Sequence, residues 1–316
     1  MTVRSVDMSV EISGLSFKNP VLTASGTFGY GLEFARFFDL SELGVFCTKG
    51  LSLDPMPGNP PGRIAETPAG MLNAIGLENV GTSAFINRKL PALENCGCHI
   101  IANIFGKTID EFIAIAERLN RCPQVSALEL NISCPNIKEG GVQFGHDVEM
   151  TFQVTDSVRR HSSKPVWVKL SPNVTDIRRF ASACESAGAS AVTLVNTFIG
   201  MSIDVKKRRP MLSNSTGGLS GPAIRPLAVR MVREVFEEVS IPVIGIGGIA
   251  SWRDAMEFIL AGAAAVQVGT ANFFDPLAAV KVIRGLEEYC REQNVSRVRD
   301  LVGSVATLEP GQFVYY

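Results

Sequence analysis

"IPVIGIGGIASWRDAMEFILAGAAAVQVGT", residues 241–270, decides the fold. Its first part, "IPVIGIGG" (241–248), is continuously apolar, with no alternation that would give a solvated face. A strand of that kind is covered on both sides, as in a parallel sheet. Ser251 then stands where an N-cap belongs, a helical segment follows, and "AAVQVG" (264–269) supplies a second apolar strand before a last helix near 276–292. Strand, helix and strand in about thirty residues make a βαβ unit.

The same alternation runs through the chain. "PVLTAS" (20–25) precedes "GLEFARFFDLSEL", with Phe34, Phe37, Phe38 and Leu43 at helical spacing. "GVFCTK" (44–49) leads into a Pro/Gly-rich excursion to about residue 80. "IIANIFG" (100–106) precedes a helix opened by Thr108 and Glu111, a capping-box pair. "ALELN" (127–131) leads to a helix from Asp147, and "VWVKL" (166–170) to one capped near Thr175 and closed by Gly188. "AVTLVN" (191–196) precedes a second insertion and a helix over about 222–238. With the opening unit, these are the eight repeats of a (β/α)₈ TIM barrel, with insertions in βα-loops; a doubly wound sheet is the alternative that periodicity leaves open. "MSVEISGLSFK" alternates across a central Gly and predicts an N-terminal β-hairpin plugging the barrel bottom. No linker or low-complexity segment interrupts residues 1–316, so a single domain is expected.

Of 316 residues, 46% are apolar and 19% charged, as in a globular enzyme with a sizeable core. A net charge of −1 calls for neither nucleic acid nor an anionic membrane. "KKRR" (206–209) then reads as a solvated face or a partner surface. No apolar stretch reaches the roughly 18 residues of a membrane span, and the start lacks a secretory h-region, so a reducing, cytoplasmic setting is expected. Seven cysteines in this length are no disulfide framework. "CGC" (96–98) is the one close pair, with His99 beside it, and no second pair completes a zinc or iron–sulfur site, so no metal is expected.

In a barrel the site lies where strands end. Those positions are Ser25-Gly26, Lys49-Gly50, Asn103, Asn131, Lys169, Asn196-Thr197, Gly247-Gly248 and Gly269-Thr270. They hold neither the paired carboxylates of a glycosidase nor a histidine cluster. "IGIGGIAS" matches G-x-G-x-x-A through Gly245, Gly247 and Ala250, but the next strand ends in Gly269-Thr270 without the ribose-holding acid, so a dinucleotide fingerprint is rejected. Gly247, Gly248, Gly269 and Thr270, with Gly221 in "GGLSGPA", read instead as backbone N–H groups for a phosphate after strands 7 and 8, against the plainer reading of tight turns. Lys49 and Lys169 would turn two cations into the mouth. Asn73, Asn131, Asn136 and Asn196 offer the donors and acceptors that suit an imide ring, although turn formation explains any single one. Cys134 in "NISCPNIKEGG" follows a strand end, where a thiol would face the pocket rather than lie inert in the core.

The motifs "NAIGLEN" (73–79), "NISCPNIKEGG" (131–141), "VWVKLSPN" (166–173), "LVNT" (194–197), "TGGLSGPAIRP" (216–226), "IGIGGI" (244–249) and "VQVGT" (266–270) together resemble the class 1 dihydroorotate dehydrogenases over nearly the whole chain. "TGGLSGPAIRP" and "NAIGL" are most similar to the class 1B catalytic subunit. The class 2 enzymes differ in carrying serine as base and an N-terminal membrane-associating extension. The resemblance implies an FMN barrel of de novo pyrimidine (UMP) biosynthesis that oxidises dihydroorotate to orotate. Cys134 would take the C5 proton while a hydride leaves C6 for the flavin. Lys49, Asn73, Ala74, Ile75, Gly76, Leu77, Asn131, Asn136, Asn196 and Thr197 would hold the pyrimidine. Ser25, Lys49, Gly50, Asn103, Asn131, Lys169, Val195, Gly221, Gly247, Gly248, Gly269 and Thr270 would hold FMN. It further implies a homodimer inside a heterotetramer, whose second subunit carries FAD and a 2Fe-2S cluster and passes electrons to NAD⁺.

Three other readings share parts of this pattern. A dihydropyrimidine dehydrogenase-like flavin chain shares the barrel and a base cysteine, and a class 1A enzyme would use fumarate. A flavin-free lyase or isomerase barrel would use the phosphate site alone. In the flanking loop, Gly140, Gly141 and Gly145 would permit hinge motion of a lid.

Overall fold

The chain's first regular element follows from two residues that accept left-handed backbone. In the computed structural model, which describes residues 5–133 and 144–306, β1 (Val10–Ile12) and β2 (Leu15–Phe17) pair antiparallel. Ser13 and Gly14, at φ 57° and 76°, form the tight turn between them. Ser13 Oγ accepts from Trp167 Nε1 at 3.0 Å and donates to Ser190 O at 2.9 Å. Phe17 meets the His99 and Trp167 rings edge-on at 5.1 and 6.3 Å. Those partners sit at the N-terminal ends of the barrel strands, so the hairpin plugs the bottom, as its alternation predicted.

β3 (Val21–Thr23) and β4 (Val45–Cys47) are barrel strands, followed by an outlying hairpin, β5 (Ile64–Thr67) and β6 (Gly70–Asn73). β7 (His99–Ile104), β8 (Val125–Asn131), β9 (Val166–Lys169) and β10 (Ala191–Leu194) continue the barrel. β11 (Phe198–Gly200), β12 (Ile203–Asp204), β13 (Arg209–Pro210) and β14 (Gly217–Ser220) belong to the second insertion, and β15 (Val243–Ile246) and β16 (Ala265–Val268) finish the barrel. Eight strands pair in the order β3-β16-β15-β10-β9-β8-β7-β4, each pair parallel, and β3 packs beside β4 to close the ring. The barrel and not the doubly wound sheet is the fold. Every residue of β9, β10, β15 and β16 is buried, as in a parallel sheet covered on both faces.

Outside the strands lie α1 (Gly81–Ala84), α2 (Ile109–Asn120), α3 (Val148–His161), α4 (Ile177–Ser186), α5 (Arg225–Glu238), α6 (Trp252–Ala261) and α7 (Ala278–Glu292); from α2 onward each packs on the next. The starts of α2, α3, α4 and α6 are set by side-chain caps. Ser251 accepts from Asp254 N while the Asp254 carboxylate accepts from Ser251 N, a reciprocal box, and Asp147 caps α3. Thr108 caps α2, but Glu111 reaches back one residue further and accepts from Lys107 N at 2.7 Å. α4 starts one residue later than Thr175 suggested, because the Asp176 carboxylate accepts from Arg178 N at 3.1 Å.

Two local readings change. Residues 31–43 form no α-helix; Gly29 and Gly31 take positive φ, and i→i+3 turns lead to a short 3₁₀ turn at Leu40–Glu42 capped by Asp39. The aromatic spacing serves ring packing instead, with Phe28 stacked on Phe34 at 4.2 Å. The two insertions, which the sequence leaves without internal structure, come together. They share an antiparallel sheet, β11-β14-β6-β5, with Gly218 opposite Asn73 and Leu219 opposite Phe198. The glycines of β14 make this close approach feasible: a Cβ on Gly217 would lie 2.5 Å from Asn73 O, and one on Gly218 only 2.1 Å from Thr197 Oγ1. Ala65, Leu72 and Leu212 form a small separate core there.

Candidate active site at the C-terminal mouth of the barrel

Inside the barrel, near the mouth, a polar cluster interrupts the apolar packing. Glu129 of β8 is fully buried, and its two oxygens accept from Asn103 Nδ2 (2.7 Å) and Gln267 Nε2 (2.8 Å), and from Cys47 Sγ (3.3 Å). Burial, then the Glu129 charge, pushes the Cys47 thiol well above its ordinary value, so it stays a donor to that carboxylate. The amide oxygens at the other ends, Asn103 Oδ1 and Gln267 Oε1, are buried without a partner among the described residues. Because Glu129 holds the N–H₂ end of each amide, both free ends are acceptors. Asn103 Oδ1 lies 3.0 Å from where a Cβ of Gly50 would be, so Gly50 keeps the space before it open.

Lys169 ends β9 with 5% of its surface exposed, and among the described residues it has no ion-pair partner. It is in register with Asn131, whose Oδ1 accepts from Asn196 Nδ2 and Ser133 N, both at 3.3 Å. Thr197 follows; its carbonyl accepts from Asn173 Nδ2 at 3.0 Å, and Asn173 Oδ1 accepts from Ile199 N. Asn73 Nδ2 donates to Gly218 O at 3.3 Å, against which Thr197 packs. The mouth sheet thus brings Asn73 to the strand-end residues Asn131, Lys169, Asn196 and Thr197.

Residues 74–77 form the loop after β6. Ala74 N donates to Arg63 O, and Asn59 holds the carbonyls of Ala74 and Ile75 at 2.9 Å each. Gly76 takes φ 76°, where a side chain would strike Asn59, and Leu77 is held at φ 60°, a costly conformation for a branched apolar residue. Asn79 braces it, donating to Leu77 O and Ser52 Oγ at 2.8 Å each. Lys49 N donates to Gly29 O. After the hydrogen-bonded Arg63, Lys49 is the next cause holding the Glu78 carboxyl below its ordinary value.

The glycine positions converge on the opposite rim. A Cβ on Gly248 (φ 72°) would lie 2.8 Å from Gly221 O, and Thr270 Oγ1 donates to Ser220 Oγ at 2.8 Å, joining the ends of β14, β15 and β16. The N–H groups of Gly248, Gly269 and Thr270 meet no acceptor among the described residues. Gly247 (φ 134°) packs on Ala228 of α5, and Val195 N donates to Ile246 O at 2.9 Å, fixing the loop after β10 beside β15. Ser25 follows β3, with its backbone facing the Cys47 sulfur. Cys134, Asn136, Gly140 and Gly141 lie outside the described residues. Gly145, in a 3₁₀ turn, packs with its Cα side against Ile132 O.

Glu129, Gln267, Ser220 and Asn173 are site residues that strand-end reading passes over. Glu129 and Gln267 carry a signal nonetheless: each is a polar residue inside an otherwise apolar strand, "ALELN" and "AAVQVG". Ser220 and Asn173 carry none, since the partners they meet, Thr270 for Ser220 and Thr197 with Ile199 for Asn173, follow other strands of the barrel.

Among the described residues no helix is long and apolar enough to cross a membrane, and no group of three or more His, Cys, Asp or Glu is placed to hold a metal ion. The family model for dihydroorotate dehydrogenase matches residues 7–290. The chain is 56% identical to the catalytic subunit of dihydroorotate dehydrogenase B (NAD(+)) from Geotalea daltonii, over 95% of this chain and 98% of that one. It is 57% identical to the same subunit from Pelobacter propionicus, with the same coverage. In fold it is similar to the Eimeria tenella dihydroorotate dehydrogenase solved with ferulenol, at a TM-score of 0.80 and 22% identity, covering 96% of this chain and 90% of that one. With its barrel, its mouth sheet and its full-length relatives, the chain belongs to the dihydroorotate dehydrogenase family, on the class 1B side.

Proposed function

We propose that this chain oxidises dihydroorotate to orotate as the catalytic subunit of an NAD⁺-linked dihydroorotate dehydrogenase, using FMN. The observation that carries the reading is likeness to such subunits, at 56% identity over 95% of the chain. The residues at the mouth fit FMN. Gly248, Gly269 and Thr270 offer open N–H groups to its phosphate, with Gly221 and Gly247 shaping that rim. Lys169 is a buried cation suited to the electron-rich edge of a reduced flavin, and Asn103 Oδ1 is an acceptor suited to a ring N–H. Ser25, Gly50, Asn131 and Val195 complete the lining. When bound, FMN supplies the hydride acceptor.

The chain's own residues do the rest. Asn73, Asn131, Asn196 and Thr197 hold the amide edges of the dihydropyrimidine, and Lys49 neutralises its carboxylate. Backbone groups of the 74–77 loop close over the ring, and Asn136 adds a further amide. Cys134 removes the C5 proton as general base, a role that the motif "NISCPN" suggests by resemblance. The electrons pass to NAD⁺ through a second subunit bearing FAD and a 2Fe-2S cluster, two of each chain forming a heterotetramer around a catalytic homodimer. The 316 residues act as one domain.

The test is an acceptor assay with and without a co-purifying subunit. NAD⁺ reduction that requires the second subunit supports the proposal; turnover with fumarate by this chain alone, and none with NAD⁺, overturns it. Cys134→Ser should retain FMN while slowing flavin reduction at least roughly a hundredfold, the span of general-base contributions; unchanged kinetics remove the base assignment.

A further inference from the structure

The "CGC" pair at 96–98, which the dehydrogenase site does not use, is a built feature. Cys96 and Cys98 lie in the loop before β7, at the N-terminal end of the barrel and opposite the mouth. Both are partly exposed, and their sulfurs are 3.5 Å apart, with Cys98 Sγ donating to Cys96 Sγ. Gly97 between them takes φ 68°, and a Cβ there would lie 2.8 Å from Ser41 Cβ, so no side chain fits at the bend that brings the two thiols together. Cys96 also lines a cleft of about 380 Å³ with Leu32, Phe38, Leu40 and Pro91. Asp39 and Glu94 are the charged residues of its wall, and no basic side chain lines it.

We propose that Cys96 and Cys98 form a redox-active dithiol that reacts with small neutral or cationic disulfides by thiol–disulfide exchange. The hydrogen bond from Cys98 lowers the Cys96 thiol to about 6 and, reciprocally, raises Cys98, which makes Cys96 the attacking sulfur and Cys98 the resolving one. Cys96 thiolate attacks one sulfur of the bound disulfide; that S–S bond breaks, and one thiolate leaves and takes up a proton. Cys98 then gives up its proton and attacks Cys96 Sγ, displacing the second thiolate. Two protein thiols are oxidised and one disulfide is reduced to two thiols. Closing the pair shortens the sulfur separation from 3.5 Å to about 2.05 Å, within reach of side-chain rotation around a glycine. The carboxylates of the cleft disfavour an anionic disulfide.

The experiment treats the full chain with cystamine or with oxidised glutathione, followed by alkylation and peptide mapping. The peptide carrying Cys96 and Cys98 should lose two hydrogens, faster with cystamine. Cys98→Ser should trap a mixed disulfide on Cys96, whereas Cys96→Ser should trap far less on Cys98. Iodoacetamide alkylation of Cys96 should rise about twofold from pH 6 to pH 8, against roughly 80-fold for an ordinary thiol near 8.5. The Cys96→Ser, Cys98→Ser double variant should oxidise dihydroorotate at the rate of the parent, since the pair is remote from the mouth. A pair that stays reduced, equal trapping on the two cysteines, or an ordinary alkylation profile would each overturn the proposal. Faster reaction with oxidised glutathione would overturn its charge preference.

Discussion

Replacing Glu129 separates a structural carboxylate from an incidental one. In Glu129→Leu, the N–H₂ groups of Asn103 and Gln267, now held at 2.7 and 2.8 Å, lose their acceptor while buried. Each unmet donor costs about 1–3 kcal/mol, so the variant should lose roughly 2–6 kcal/mol of stability. Glu129→Gln should lose far less. Its Oε1 keeps one amide bonded, and its new N–H₂ can be accepted if the other amide turns over, because Asn103 Oδ1 and Gln267 Oε1 are both partnerless acceptors. About 1–2 kcal/mol then remains, mainly from exchanging a charge-assisted bond for a neutral one. Urea unfolding of the two variants beside the parent measures both numbers, provided the slopes agree. FMN affinity supplies a second readout, since an Asn103 amide that has turned over presents N–H₂ to the mouth in place of an oxygen. If Glu129→Leu is as stable as the parent, or if Glu129→Gln loses as much as Glu129→Leu, the network is wrongly drawn.

Three further outcomes follow from single positions. Gly248→Ala forces a methyl to 2.8 Å from Gly221 O at φ 72°, and should raise the FMN dissociation constant at least roughly tenfold, about 1.4 kcal/mol, as measured by flavin fluorescence; unchanged retention would remove Gly248 from the phosphate rim. Trp167→Ala empties a fully buried position and frees Ser13 of the bottom hairpin; about 3–5 kcal/mol should be lost in urea unfolding, with no change in substrate KM. Glu78 titrates below its ordinary value of 4.5, chiefly through Arg63 and next through Lys49, so its contribution to stability is present above that value and lost as pH falls through the depressed one. Lys49→Met should move the Glu78 carboxyl titration, followed by NMR, partway back toward 4.5, and Arg63→Met further; a Glu78 titration indifferent to Lys49 would place that ammonium away from the loop.

The barrel was legible because its strands are mostly apolar runs, each closed by a polar or glycine residue, and because most of them lead to a helix. "IPVIGIGG" and "AAVQVG" announce both the strand and the covering on its two faces. The strand-end rule also gathered Asn103, Asn131, Lys169 and Asn196, since in a barrel these share one mouth whatever their separation in sequence. The sheet made from the two insertions was not legible. Pairing of Gly218 with Asn73 across 145 residues depends on where the barrel sets each loop down, and neither segment carries that position in its own periodicity. Residues 31–43 misled for a different reason. Phe34, Phe37 and Phe38 are spaced for a helix, but Gly29 and Gly31 turn the chain, and the rings find one another without it. Glu129 shows how an acid in an apolar strand reads as an exception until its two amide partners, on β7 and β16, are seen beside it.

The central claim is that this chain carries a flavin that dihydroorotate reduces. Anaerobic mixing of the FMN-loaded chain with dihydroorotate, followed by flavin absorbance and by orotate formation, tests it most directly. The account predicts that the flavin bleaches with one orotate formed per FMN, and that dihydrouracil, which lacks the carboxylate held by Lys49, bleaches it far more slowly. A flavin spectrum left unchanged by dihydroorotate, or bleached equally by dihydrouracil, would contradict it.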